Sequence, residues 1–121
     1  MMTAMPFVDI MTSCELPAQT RQRELLGAVT EIAVEQLGRP KDQIMVRLSA
    51  SVPMMLAGEE TPSAFVDVRG VGAPSVGRAR DFTQAVCSLI VEVLGIPLER
   101  VYVAFTDVDR SYWGGTGAQI E

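Results

Sequence analysis

The chain contains no histidine, and that absence removes more chemistry than any residue present can supply. Without imidazole there is no Ser-His-Asp or Cys-His nucleophilic site, no histidine-bearing zinc site and no ordinary proton shuttle at neutral pH. Cysteine is nearly as scarce. Cys14 and Cys87 have neither metal-ligand spacing nor the density of a disulfide scaffold, and Cys87 in Val86-Cys87-Ser88-Leu89-Ile90 reads as a buried core thiol. No metal and no cofactor is expected. Lys and Arg never cluster, and 10 of them against 15 Asp and Glu give a net charge of −5, so nothing resembles a phosphate-neutralising surface and nucleic acid is not an expected partner. No apolar run is long enough to span a bilayer, and Met1 to Pro6 lack the basic start and apolar run of a secretory signal. The expected location is therefore the cytoplasm, with no membrane partner.

What the chain does have is apolar residues and an internal echo. Forty-eight per cent hydrophobic residues in 121 is rich for a lone domain of this size, which has much surface and little interior, so burial between subunits is expected. Phe7-Val8-Asp9-Ile10 returns as Phe65-Val66-Asp67-Val68, offset by 58 residues. Leu37-Gly38-Arg39-Pro40, followed by Ile44 and Val46, returns 57 residues later as Leu94-Gly95-Ile96-Pro97, followed by Val101 and Val103. A whole unit is repeated, and each copy reads as strand, long amphipathic segment, Leu-Gly-x-Pro stop, strand.

The spacing predicts strands over 6–12, 44–49, 64–71 and 100–107. Between them lie two helices, one from about Ala18 to Leu37 carried by Leu25, Leu26, Val29, Ile32 and Ala33, the other from Ser75 or Gly77 to Leu94 carried by Phe82, Val86, Leu89, Ile90 and Val93. Gly38 and Gly95 can take the left-handed conformation that closes a helix, and Pro40 and Pro97 forbid continuation. Val52 to Pro62 reads as a loop, and the tail around Tyr112 to Gly115 as a short edge strand or turn. The expected fold is α+β: a duplicated β-α-β unit forming one four-stranded mixed sheet with both helices on one face. Residues 1–5 form an amino-terminal extension and 6–121 a single domain.

Alternation puts Ile44, Val46, Leu48, Val66, Val68, Val101, Val103 and Phe105 against the helices. The opposite face mixes Phe7, Met45, Phe65 and Tyr102 with Asp9, Arg47, Asp67 and Arg69. Either it is a solvated sheet face, or sheets from several subunits meet there with the aspartates paired to arginines.

Met5-Pro6-Phe7-Val8, the two Leu-Gly-x-Pro stops, Ser51-Val52-Pro53-Met54, Val71-Gly72, Arg100-Val101-Tyr102-Val103 and Tyr112-Trp113-Gly114 together resemble the macrophage migration inhibitory factor family of the tautomerase superfamily. The likeness runs from Pro6 to about Thr116. It implies a homotrimer whose three sheets surround a central channel, and a catalyst built on an amino-terminal proline. Pro6 matches that proline. As a terminal secondary amine it would be neutral near pH 7 in an apolar or cationic pocket and could carry a proton between carbon and oxygen of a small enolisable 2-oxo acid such as phenylpyruvate. Arg39 matches a lysine that meets the substrate carboxylate, a role arginine can fill with two parallel hydrogen bonds; read alone, it is equally a solvent-facing residue after a helix stop. Val71 matches a pocket-lining position, Tyr102 a tyrosine contributed by the neighbouring subunit, and Trp113 the pocket-lining carboxy-terminal segment.

The chain also departs from the pattern. Ala104 stands where some members place asparagine, Arg69 replaces a common histidine, and the Cys-x-x-Cys pair of the vertebrate cytokines is absent. Methionines at 1, 2 and 5 leave the start open, and an internal Pro6 has only an amide nitrogen. Strand and family pattern both begin at Pro6, which favours Met5 as initiator. Two alternatives to tautomerisation stand beside it: a non-catalytic, cytokine-like protein that binds a receptor, and proline-dependent hydratase or dehalogenase chemistry.

Overall fold

A computed structural model describes residues 6–16 and 18–119; the extension assigned to 1–5 lies outside the described residues. The elements alternate as the repeat requires: β1 (Phe7–Thr12), α1 (Gln19–Leu37), β2 (Met45–Ser49), β3 (Ala64–Gly70), α2 (Val76–Leu94) and β4 (Val101–Asp107). A small hairpin of β5 (Gly114–Gly115) and β6 (Ala118–Gln119) follows. Both helices end as their sequence dictates, on Gly38 at φ 66° and Gly95 at φ 70°, where a glycine accepts the left-handed turn without steric cost. Ser75 begins α2 by accepting the Arg78 amide at 3.2 Å.

The sheet order is β2-β1-β3-β4. The outer pairs are parallel and the central pair β1–β3 is antiparallel, so two β-α-β units lie side by side. Both helices cover one face. Leu25, Val29 and Ala33 repeat every fourth position along α1, and with Phe82, Val86 and Ile90 of α2 they bury Val8, Ile10, Val66 and Val68 of the central strands. Phe82 meets Phe105 edge to face at 5.7 Å, closing the β4 side of the core. Cys87 belongs to this core, and burial pushes its thiol up, which leaves it protonated and unreactive.

The opposite face carries ion pairs formed within the chain. Asp9 and Asp67 stand directly opposite each other on the central strands, a like-charge juxtaposition that destabilises a sheet unless neutralised. Each is neutralised separately. Arg47 reaches across from β2 to Asp9, Nε to Oδ1 at 3.0 Å and Nη2 to Oδ2 at 2.6 Å, while its guanidinium lies 5.5 Å from the Phe7 ring centre. Asp67 instead takes Arg69 of its own strand, Nε to Oδ2 at 2.9 Å. Asp9 is 5 % exposed, whereas Met45 and Tyr102 on the same face are 55 % and 50 % exposed.

Each expected strand is trimmed by one residue, the first of them beginning at Phe7 rather than Pro6. Ile44 and Arg100 fall before their strands, each at the end of a short 3-10 turn that the Gly-x-Pro stop leads into. Val71 likewise lies past the end of β3 rather than within it. For Arg100 the difference matters. Its side chain points away from the strand alternation and donates to the carbonyls of Leu56, Glu59, Thr61 and Pro62 at 2.8–3.4 Å, fixing the loop that the sequence left without a partner.

Candidate active site

The antiparallel register sets the head of β1 beside the tail of β3, with Phe7 opposite Arg69. A pocket opens there, lined by Pro6 together with Leu37, Arg39, Val68 to Pro74 and Phe105 to Asp107. Pro6 is buried at its floor, and its carbonyl accepts the Met45 amide at 3.0 Å, which ties the residue to β2. Gly70 passes close by. A side chain begun there would stand 3.6 Å from the Pro6 Cα, an ordinary van der Waals contact.

Arg39 arrives from the other side. The Gly38 turn ends α1 and throws the next residue toward the pocket, and Arg78 Nη1 donates to the Gln36 carbonyl at 3.2 Å over the same turn. Arg39 Nη2 lies 3.9 Å from where a side chain on Gly72 would start. Among the described residues no carboxylate pairs with Arg39, whereas Arg69, the other arginine lining the pocket, is held by Asp67. The 70–74 segment is tied down by two bonds, Gly72 N–H to Asp107 Oδ1 at 2.9 Å and Val108 N–H to the Gly70 carbonyl at 2.8 Å. Asp107 is the residue that sequence reasoning missed. It is the last residue of β4, where a charged side chain looks like any solvated strand end.

Three of the five residues singled out by resemblance therefore meet: Pro6, Arg39 and Val71. Tyr102 and Trp113 do not join them within one chain. Tyr102 is four residues along β4 from Thr106, about 13 Å away, and exposed on the face opposite the helices. Trp113 is half-buried after the 3-10 turn Arg110–Tyr112. Hydrogen bonds from Ser111, its backbone N–H foremost, hold the Asp109 carboxyl below its usual range and fix that turn. Among the described residues no three His, Cys, Asp or Glu side chains gather as metal ligands would, and no helix is long and apolar enough to cross a membrane.

A slot walled by Leu37, Val68, Val71 and Phe105, with one unpaired cation and a proline at its floor, can hold a small anion with an apolar tail and place it against Pro6. On a duplicated β-α-β sheet, this architecture is that of the tautomerase superfamily. It is shared, as a likeness of fold alone, with a fused 4-OT solved as an asymmetric trimer (TM-score 0.81, 20 % identity, 93 % of this chain and 94 % of that one). Within it the chain belongs to the macrophage migration inhibitory factor (MIF) family, whose model matches residues 5–121. It is 22 % identical over 114 residues to a macrophage migration inhibitory factor homolog of Brugia malayi, covering 94 % of this chain and 97 % of the relative. The crystal structure of a macrophage migration inhibitory factor homologue from Prochlorococcus marinus superposes with a TM-score of 0.85 at 32 % identity, over 95 % of this chain and 99 % of that one.

Proposed function

We propose that the protein is a keto–enol tautomerase of small 2-oxo acids such as phenylpyruvate, with Pro6 as a free amino-terminal base and the homotrimer as the working form. The observation that carries this reading is the burial of Pro6 at the floor of a pocket whose one unpaired cation is Arg39. Arg39 takes the carboxylate in two parallel hydrogen bonds. The Pro6 nitrogen accepts the proton from the carbon beside the carbonyl, the C–H electron pair becomes the C=C bond as the C=O π pair moves to oxygen, and the Pro6 ammonium returns the proton to that oxygen as the enol forms. Val71 and Phe105 face the aryl tail. Tyr102 and Trp113 complete the walls from a neighbouring subunit, which fits the exposed position of Tyr102.

The amino terminus is the direct test: intact mass and terminal sequencing of protein from its native source establish whether the Pro6 nitrogen is free. Arg39→Ala is expected to raise KM for phenylpyruvate about tenfold or more, the loss of a charge-assisted hydrogen-bond pair, while KM for its methyl ester moves less than about threefold. Equal changes for acid and ester would mean that Arg39 is structural.

The oligomer is tested separately. Light scattering coupled to gel filtration should give about three times the 13.1 kDa chain mass, and Phe65→Glu should shift that mass toward the monomer by burying an unpaired charge between sheets. A parent protein that runs as a monomer would remove the shared pocket from the reading.

A further inference from the structure

The pocket holds a negative charge of its own. Asp107 lines the same cavity as Pro6 and Arg39, and both charged residues come to Gly72: Asp107 Oδ1 accepts the Gly72 N–H at 2.9 Å, and Arg39 Nη2 stands 3.9 Å from where a side chain on that glycine would begin. Of the two lining arginines, Arg69 already serves Asp67. The lining residues of one chain thus offer one unpaired cation, a second arginine already paired to Asp67, one carboxylate and otherwise apolar or neutral groups.

We infer that Asp107 is a specificity-determining residue that restricts the pocket to monoanionic acids with an uncharged tail and rejects dicarboxylic acids of the same length. The inference deepens the tautomerase reading and rests on it for the word substrate, although the charge argument concerns binding alone. A monoacid satisfies Arg39 and presents an apolar tail to Leu37, Val68, Val71 and Phe105. A diacid places its first carboxylate on Arg39 and carries the second into a slot with no free cation among the described lining residues, where Asp107 repels it. Coulomb repulsion over several ångströms in a half-open site is large enough to set a preference and too small to abolish binding outright. Asp107 keeps a second task in holding the 70–74 segment, so the informative substitution is Asp107→Asn, whose amide oxygen can still accept the Gly72 N–H while the charge is gone.

The experiment is titration calorimetry of the full chain, and of the form beginning at Pro6, with 3-phenylpropanoate and with adipate, two unreactive acids of similar length and different charge. The parent should prefer 3-phenylpropanoate. In Asp107→Asn the affinity for adipate should rise about threefold to tenfold, with 3-phenylpropanoate changed less than about twofold, and Arg39→Ala should weaken both. Asp107→Ser, which also lacks the charge, should move the ratio the same way if the asparagine variant folds poorly. An unchanged ratio in these variants, equal gains for both acids, or no binding of either acid to the parent overturns the proposal. Turnover of phenylpyruvate is measured in the same samples: a shifted ratio without turnover upholds Asp107 as a selector and retires the tautomerase, and turnover with an unshifted ratio does the reverse.

Discussion

Protein that begins at Pro6 should tautomerise phenylpyruvate, and the same chain with Met1 to Met5 still attached should fold and assemble yet lose about a hundredfold to ten-thousandfold of that rate, the range that a positioned base contributes. The cause is valence. A proline nitrogen inside the chain is a tertiary amide whose lone pair is delocalised into the carbonyl, while at the terminus it is a basic secondary amine. Folding should be insensitive to the difference, because Pro6 is buried and fixed through its carbonyl rather than through its nitrogen. Pro6→Gly with a free terminus should keep part of the rate, since it retains a base and loses only the secondary amine and the fixed φ. The rate of the Pro6-first form should rise with pH as the amine gives up its proton, for only the neutral amine can accept one from carbon. Equal rates for trimmed and extended chains would end the proline mechanism and leave a binding role for the pocket.

The largest expected loss of stability belongs to a residue far from that pocket. Arg100 is 8 % exposed and spends its guanidinium on the carbonyls of four loop residues, with no carboxylate among its hydrogen-bond partners. Arg100→Ala leaves those carbonyls without their donor and a void where the side chain lay, a cost of about 3 kcal/mol or more. For a domain of this size that corresponds to a fall in Tm of about 12 °C, readable by thermal denaturation at neutral pH. Arg100→Lys should recover only a fraction, because one ammonium cannot reproduce a planar fork that serves several carbonyls at once. A melting temperature within about 2 °C of the parent's for Arg100→Ala would mean that the 52–62 loop is held by other contacts.

The sheet, its two helices and their stops were legible because each signal was local and repeated: a Gly-x-Pro after each helix, and a Phe-Val-Asp at the head of each half. Arg100 was not, since it abuts the Val101 to Asp107 strand directly and nothing local marks a 3-10 turn before it. The ionic character of the second sheet face could be read from alternation, but not who pairs with whom, because Arg47 bonds across strands and Arg69 along its own. The pocket lay further out of reach. Pro6, Arg39 and Val71 are distant in sequence and share no periodicity, so only resemblance grouped them, and Asp107 had neither resemblance nor pattern to mark it.

The Asp9–Asp67 pair has one more consequence. Since the repeat carries residue 9 onto residue 67, a local twofold axis passes between these two carboxylates and maps the Pro6 mouth onto a second location at the head of β3, with Ala64 in place of Pro6 and Ile96 in place of Arg39. That counterpart is plugged. Ala64 and Ile96 are 1 % and 0 % exposed, and Cys14 Sγ donates to the Leu94 carbonyl across the gap. The halves are thus twins in architecture and opposites in solvation, with a cation kept at one mouth and an aliphatic stopper at the other. The stoichiometry expected of the proposed pocket is one ligand per chain rather than two, a broken symmetry written in the exchange of arginine for isoleucine and of proline for alanine.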